Sequence, residues 1–363
     1  MNTIDMENIG LGRELLAGAS AVYPELFVGR IVSQSRDLYT AAAEKGELTA
    51  EVSGKFRFEA GALSDFPAVG DFVLLDRNED SSGNGIIHSV LPRKSAFIRR
   101  AAGTSNDEQV VAANIDTVFL CMSLNNDFNL RRMERYLGVA WNSGAVPVIV
   151  LTKADLCADL ARRLSEIGTV ACGTEVLVTS SLTENGWTSV RKYLGRGKTV
   201  AFIGSSGVGK STMINRLLGW NALATKGLRN DDKGRHSTTR RELIALPEGG
   251  VVIDTPGMRE LGIESADFSK TFADIDELAG QCRYHDCTHT REPGCAVQEA
   301  IAGGELSPER LANYLKLKKE AKYEGLNSRQ IESEKISAMF AEVGGIKNAR
   351  KFAKEKNRKR YGY

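Results

Sequence analysis

The chain has 363 residues, 42% of them hydrophobic, with 48 Lys and Arg against 46 Asp and Glu for a formal net charge of +2. That length implies two or three domains at roughly 100–200 residues each, and the apolar fraction excludes a chain disordered throughout. No apolar run approaches the ~20 residues of a bilayer span, and the N-terminus, with Asp5, Glu7 and Glu14, lacks a secretory h-region, so a cytoplasmic chain outside the membrane is expected. Residues 1–25 read as a short helix or loose arm. Residues 26–108 have a β texture: Phe27–Val32, Leu38–Ala43, Leu48–Val52, Phe72–Leu75 and Ile86–Val90 are short strands between Gly, Asp and Asn turns. Five such strands suit a small barrel of the oligonucleotide-binding (OB) type, although an all-β docking domain has the same pattern. Arg99, Arg100 and the polar stretch Ala101–Glu108 read as a linker.

The period then changes. Ile115–Met122 is a continuous apolar strand of the kind buried on both faces of a parallel sheet. A helix over Arg131–Trp141 follows, then strand Val146–Leu151, a helix near Leu156–Ile167, strand Glu175–Thr179, a helix near Trp187–Leu194 and strand Thr199–Ile203. Strands Glu242–Leu246 and Val251–Ile253 complete the pattern. The alternation predicts a doubly wound α/β domain over residues 109–270. Beyond it, 271–343 is helical and charged around a Cys/His cluster, and 344–363 is a basic tail.

Gly204-Ser205-Ser206-Gly207-Val208-Gly209-Lys210-Ser211 matches G-x-x-x-x-G-K-[ST], after an apolar strand and before a helix that begins at Thr212. The glycines let backbone N–H groups surround a phosphate, and the helix N-terminus adds partial positive charge. Lys210 would neutralise the β- and γ-phosphates and Ser211 would ligate Mg²⁺. Asp254-Thr-Pro-Gly257 follows the strand Val251–Ile253, 44 residues after Lys210. The Asp254 carboxylate is placed to hold Mg²⁺ through water, and the Gly257 N–H can meet a γ-phosphate.

Thr152-Lys153-Ala154-Asp155 also follows a strand. The Asp155 carboxylate can accept two hydrogen bonds from guanine N1–H and N2–H₂, a donor pair that adenine lacks, with Lys153 lying along the base. The usual first residue of this motif is Asn. Thr152 lacks the amide that braces the site, so lower affinity is expected. Ser180 and Ser181 close the next strand, where a backbone N–H would meet the guanine oxygen. In ordinary GTPases the phosphate loop comes first and the base motif later. Here Asp155 precedes Gly204, so the domain reads as a circular permutation, which leaves a spatial pocket intact. It also sends the Asp254–Gly257 segment straight into the C-terminal region, with Cys282 only 28 residues beyond Asp254, which would couple nucleotide state to that region.

Cys282, Cys287, His289 and Cys295 offer three thiolates and an imidazole within 14 residues, a donor set that suits tetrahedral structural Zn²⁺ without an open position; His285 lies in the same span and competes with His289. In the tail, 344–363, eight basic residues face the single acid Glu355, giving +7 with Phe352, Tyr361 and Tyr363 interspersed. The remaining residues hold 40 basic against 45 acidic groups, so the near-neutral total conceals a mildly acidic body joined to a phosphate-seeking arm.

The barrel, the order Thr152–Asp155, Gly204–Ser211, Asp254–Gly257 and the Cys/His knot together resemble the RsgA family of bacterial circularly permuted GTPases. Ala113-Asn-Ile-Asp116, Gly234-Arg-His-Ser-Thr-Thr239 and Glu292-Pro-Gly-Cys295 match as well, so the resemblance spans about residues 26–340. It implies an OB barrel, a zinc-bearing C-terminal domain with His289 as the fourth ligand, and contact with small-subunit rRNA. It also implies GTP hydrolysis stimulated by the small ribosomal subunit, in late subunit maturation. The expected partners are GTP, GDP, the subunit and its rRNA, with the chain a monomer. Within the polar stretch Thr225–Arg240, Thr239 is the candidate for Mg²⁺ and the γ-phosphate, with Thr238 beside it. Many GTPases orient water with a Gln after the D-x-x-G glycine. Here Met258 stands there, so slow intrinsic turnover is expected and the orienting group must come from elsewhere. His236 is the candidate, against a plain loop histidine or a cis arginine finger at Arg235. The competing functions are a nucleotide-independent RNA-binding assembly factor, which the intact Lys210, Ser211, Asp254 and Asp155 oppose, and an ATP-dependent RNA enzyme, which Asp155 opposes.

Overall fold

The computed structural model describes residues 3–80, 83–100, 108–171, 173–180, 187–219, 242–254 and 271–322. The chain divides into two compact units, 1–313 and 314–363, and of the second only the end of one helix is described. After an N-terminal arm and helix α1 (Arg13–Val22) come β1 (Phe27–Ser35), β2 (Leu38–Ala43), β3 (Gly46–Val52), helix α2 (Gly54–Glu59), β4 (Phe72–Leu75) and β5 (Gly85–Val90). β1 pairs with β2 from Arg30 onward and with β4 over Phe27–Arg30, while β3 pairs with β5 and β5 with β4. The order 1-2-3-5-4-1 closes a five-stranded barrel of the OB type. Its interior takes alternate residues, Ala41 and Ala43 of β2 against Leu48 and Ala50 of β3, with Ile31, Val73, Leu75 and Ile87. That is the period of two a half-buried strand requires.

The expected linker is partly a hairpin. β6 (Ala96–Arg100) pairs antiparallel with β7 (Glu108–Ala113), Arg99 opposite Gln109 and Arg100 opposite Glu108. Backbone pairing across the hairpin orders these polar residues, and composition does not display it. Residues 101–107 lie outside the described residues.

The second layer system holds β8 (Thr117–Ser123), α3 (Leu130–Ser143), β9 (Val146–Thr152), α4 (Leu160–Ala171), β10 (Glu175–Val178), β11 (Thr199–Gly204), α5 (Lys210–Leu218), β12 (Glu242–Ala245) and β13 (Val251–Asp254). The spatial order is β10-β9-β8-β11-β13-β12, with β12 antiparallel to β13 and the others parallel. Successive residues of one strand serve opposite faces. Val118 and Leu120 join Met133 and Leu137 of α3 and Ile167 of α4, whereas Phe119 joins Phe202 and Ile214 of α5. Helices on both faces make the sheet doubly wound. Two expected helical segments differ: Ala154–Leu156 is a 3₁₀ turn, so α4 begins at Leu160, and Thr188–Tyr193 is also 3₁₀.

Barrel and sheet are continuous, since Ser33 of β1 is paired with Glu242 of β12. Arg30 seals the junction. Its fully buried guanidinium donates to the Thr199 hydroxyl at 2.9 Å, to the Gly70 carbonyl at 3.2 Å and to the Ile9 carbonyl of the arm. Burial pushes its pKa down to about 10, with Asp116 and Asp71 opposing, so it remains a cation at neutral pH. Helices α6 (Ala273–Ala279), α7 (Ala296–Ala302) and α8 (Pro308–Lys322) complete the described chain. No helix among the described residues is long and apolar enough to cross a membrane.

Candidate active site and metal centre

The phosphate loop follows from its glycines. A β-carbon on Gly204 would stand 2.5 Å from the Cys121 carbonyl oxygen of the neighbouring strand, and Gly209 caps α5 at φ +105°. Only glycine takes both positions without strain. The loop amides are thereby gathered at the N-terminus of α5, where the helix dipole favours an anion. Lys210 arches back over the loop and donates to the Gly204 carbonyl at 2.6 Å and the Ser205 carbonyl at 2.8 Å. Ser206, Gly207, Val208, Ser211 and Thr212 complete the loop and the first helical turn. Asp254 ends the adjacent parallel strand. Burial raises its carboxyl above the usual range, the Lys210 ammonium pulls it back and Glu242 adds to the rise. A cation brought to this edge would therefore help keep Asp254 ionised.

The Thr152–Asp155 turn expected to read the base lies at the same edge, because β9, β10, β11 and β13 are parallel and Thr152, Val178, Gly204 and Asp254 are their last residues. Lys153 adopts the left-handed conformation at φ +56°, the Ala154 N–H donates to Thr179 O at 3.1 Å, and the Ser180 hydroxyl donates to the Asp155 carboxylate. In sequence these groups precede the phosphate loop, and in space they flank it. The chain is a circularly permuted arrangement of this site.

Thr152 departs from expectation. Its buried hydroxyl donates to the Val208 carbonyl of the phosphate loop at 2.6 Å. A brace of the kind attributed to an asparagine amide is present, made by a shorter side chain. Thr152→Val, which removes the donor at nearly constant volume, should weaken nucleotide binding by about tenfold, the worth of one buried hydrogen bond with its partner left unpaired. Thr152→Asn should stay within a few-fold of wild type in the same nucleotide titration. Equal affinity for Thr152→Val and wild type would show that the brace contributes nothing.

One residue of this site was not expected. Asp127, in the loop after β8, accepts the Ser205 hydroxyl and pairs with Arg132 at 2.9 Å. The available signal was position: Asp127 follows the end of a parallel strand, as Asp155 does. Ser181, His236, Thr238, Thr239, Gly257, Met258 and the basic tail lie outside the described residues.

In the C-terminal region Cys282, Cys287, His289 and Cys295 converge, with their ligand atoms all within 4.8 Å of one another. Cys282 Sγ and Cys295 Sγ are 3.9 Å apart, and each is 3.6 Å from His289 Nδ1. Sulfurs ~2.3 Å and a nitrogen ~2.0 Å from a tetrahedral ion stand about 3.5–3.8 Å apart, so the group fits a metal ion. His289, at φ +59°, is the fourth member, and His285 lies outside the group and is exposed. Two side chains shape the loop: Gln298 donates to the His289 carbonyl at 2.6 Å, and the Glu292 carboxylate accepts the N–H groups of Thr288, Thr290 and Arg291. The Thr288 hydroxyl and these amides hold Glu292 well below the usual carboxylate range.

Residues 90–264 match the family model for the RsgA GTPase. A protein of Lactiplantibacillus plantarum named small ribosomal subunit biogenesis GTPase RsgA 2 is 50% identical over 355 residues, 98% of this chain and 99% of its own. The crystal structure of YjeQ from Thermotoga maritima aligns at 28% identity and a TM-score of 0.61, over 83% of this chain and all of that one. YloQ, described as a circularly permuted GTPase, shares the fold at 24% identity and a TM-score of 0.57, over 83% of this chain and 97% of its own. With half its residues identical to that relative along nearly the whole of both chains, the chain belongs to the RsgA family of GTPases.

Proposed function

We propose that this chain hydrolyses GTP to GDP and phosphate and serves as a late maturation factor of the small ribosomal subunit, whose binding accelerates its turnover. The observation that carries the reading is the Thr152–Val208 hydrogen bond, which makes the phosphate loop and the guanine-specifying turn one pocket. The name of the L. plantarum relative supplies the subunit. In this reading the barrel occupies 26–108, the permuted GTPase domain 109–270 and the zinc-binding domain 271–343. The tail 344–363 supplies charge for rRNA, in a contact that weakens with salt. The chain works in the cytoplasm as a monomer.

The hydrolytic step is an in-line attack of water on the γ-phosphorus, through a loose transition state whose charge the protein stabilises. Loop amides and Lys210 hold the β- and γ-phosphates, and the Gly257 N–H meets the γ-phosphate. Asp155, with Ser180, Ser181, Lys153 and Ala154, holds the guanine. Ser211 and Thr239, with Asp254 through water, would hold Mg²⁺, which would supply charge neutralisation. The Cys282, Cys287, His289 and Cys295 group holds a structural Zn²⁺, since a closed tetrahedral shell offers no site for substrate. Met258 cannot accept a hydrogen bond usefully, and His236 orients the attacking water. His236→Ala should abolish subunit-stimulated turnover while GTP and GDP affinities remain unchanged. Unchanged stimulated turnover in that variant would contradict the assignment.

A further inference from the structure

Helix α3 has contacts of two kinds that its sequence does not announce. At its start, Asn129 caps the helix by accepting the Arg132 N–H at 3.0 Å, and the preceding Asp127 receives the Ser205 hydroxyl of the phosphate loop. One turn further in, Glu134 is 2% exposed, and both its carboxylate oxygens are taken by the C-terminal region. Arg310 Nη1 donates to one at 2.7 Å, and the Asn313 amide donates to the other. The same Arg310, itself 6% exposed, grips the Asp274 carboxylate with Nε and Nη2, both at 2.8 Å. Its Nη2 also donates to the Thr271 carbonyl at 2.8 Å, and its guanidinium lies 5.0 Å over the Phe272 ring.

Arg310 therefore holds three pieces of chain together. One is α3 of the sheet. The second is Thr271–Asp274, at the start of α6. The third is the start of α8, which follows the Cys/His loop. A buried carboxylate, Glu134, and a half-exposed one, Asp274, around one buried arginine are a costly way to glue helices. Apolar replacements of buried ion clusters are often as stable or more so, whereas removing one partner is strongly destabilising. What the cluster adds is geometry: the bidentate fork fixes the angle of Asp274, and the remaining nitrogen fixes Glu134.

We propose that the Glu134–Arg310–Asp274 cluster is the joint through which the C-terminal region acts on the phosphate loop, with α3 as the rigid connection between Arg310 and the Asp127–Ser205 contact. Arg310 and Glu134 are positioning residues for stimulated hydrolysis. They do not touch nucleotide, so unstimulated turnover does not depend on them. The inference rests on the reading that the small subunit stimulates this enzyme, and it names the route by which that stimulation reaches the site.

The test is GTP turnover with and without purified small subunits for wild type, Glu134→Gln and the double variant Glu134→Met/Arg310→Met, with thermal unfolding of each. Glu134→Gln should keep unstimulated turnover and GTP affinity within twofold and lose at least tenfold of the stimulation. The double variant replaces buried charge by apolar groups of similar length. It leaves the Asn313 amide without its Glu134 acceptor, so it should unfold within a few degrees of the wild-type temperature and still lack stimulation, which separates positioning from mere stability. Stimulation that returns with stability in the double variant, or is intact in Glu134→Gln, overturns the joint. A wild type that the subunit does not stimulate overturns both the joint and the reading beneath it, whereas stimulated wild type and variants alike overturn the joint alone.

Discussion

Stripping the metal from the Cys282, Cys287, His289 and Cys295 group should unfold the loop between α6 and α7 and leave the sheet and barrel folded. The four donor atoms lie within 4.8 Å of one another, and Cys282 Sγ, Cys295 Sγ and His289 Nδ1 are 3.6–3.9 Å apart, close to the separations a tetrahedral ion imposes. Without a cation, deprotonated thiolates at that distance repel. The loop also holds a non-glycine residue, His289, in the left-handed region, a conformation that costs on the order of 1–3 kcal/mol and persists only when its surroundings enforce it. The Glu292 and Gln298 contacts are few, and most of the loop is exposed, so little apolar burial is available to replace the metal. Structural zinc in small domains contributes apparent free energies of about 10–16 kcal/mol, more than a loop of this size can lose and stay folded. Hydrogen exchange after chelation, or in Cys295→Ser, should show near-complete loss of protection over residues 280–300. Protection in β8, β9 and β11 should be unchanged. Unaltered exchange over 280–300 in metal-free protein would show that the group is not structural. Zinc analysis of the freshly purified chain should return about one ion per molecule.

The second large effect is a change of base. Asp155 is set by the turn at Lys153 and held by the Ser180 hydroxyl, so its carboxylate is fixed before any base arrives. A fixed carboxylate is a double acceptor, matched to the adjacent N1–H and N2–H₂ donors of guanine. Asp155→Asn turns one acceptor into a donor and faces the guanine amino group with an NH₂. Losing a charge-assisted bond and setting two donors against each other costs about 3–4 kcal/mol, or ~10²–10³-fold in GTP affinity. Xanthine carries a carbonyl where guanine carries the amino group, and it complements the amide. Competition titrations should show the variant preferring XTP to GTP, with wild type the reverse. A variant that retains wild-type GTP affinity would mean that Asp155 does not read the base.

The parts of the site that were legible in the sequence are those whose chemistry is local. Eight consecutive residues make the phosphate loop, four make the base turn, and 14 hold the metal ligands, so spacing alone carries them. The barrel was legible for a related reason: alternate residues of its short strands face one core, and Ala41, Ala43, Leu48 and Ala50 display that period. The polar residues Arg99 and Arg100 resemble a linker until Gln109 and Glu108 are paired across from them. The ties that hold the site were not legible, because their partners are far apart in sequence. Thr152 reaches Val208 over 56 residues, Arg30 reaches Thr199 over 169 and Arg310 reaches Glu134 over 176. No local pattern distinguishes such an arginine or threonine from one that is merely solvated. The segment-level reading of α4 erred by four residues because Asp159, which caps the helix by accepting the Arg162 N–H at 3.0 Å, follows a 3₁₀ turn that shares the helical period of the residues before it.

GTP and ATP turnover by the full chain, each measured with and without purified small ribosomal subunits, decides whether this site is a subunit-responsive GTPase. Slow GTP turnover alone, a large acceleration by the subunit and negligible ATP turnover are predicted. Preference for ATP, or no GTP turnover even with the subunit present, would contradict it.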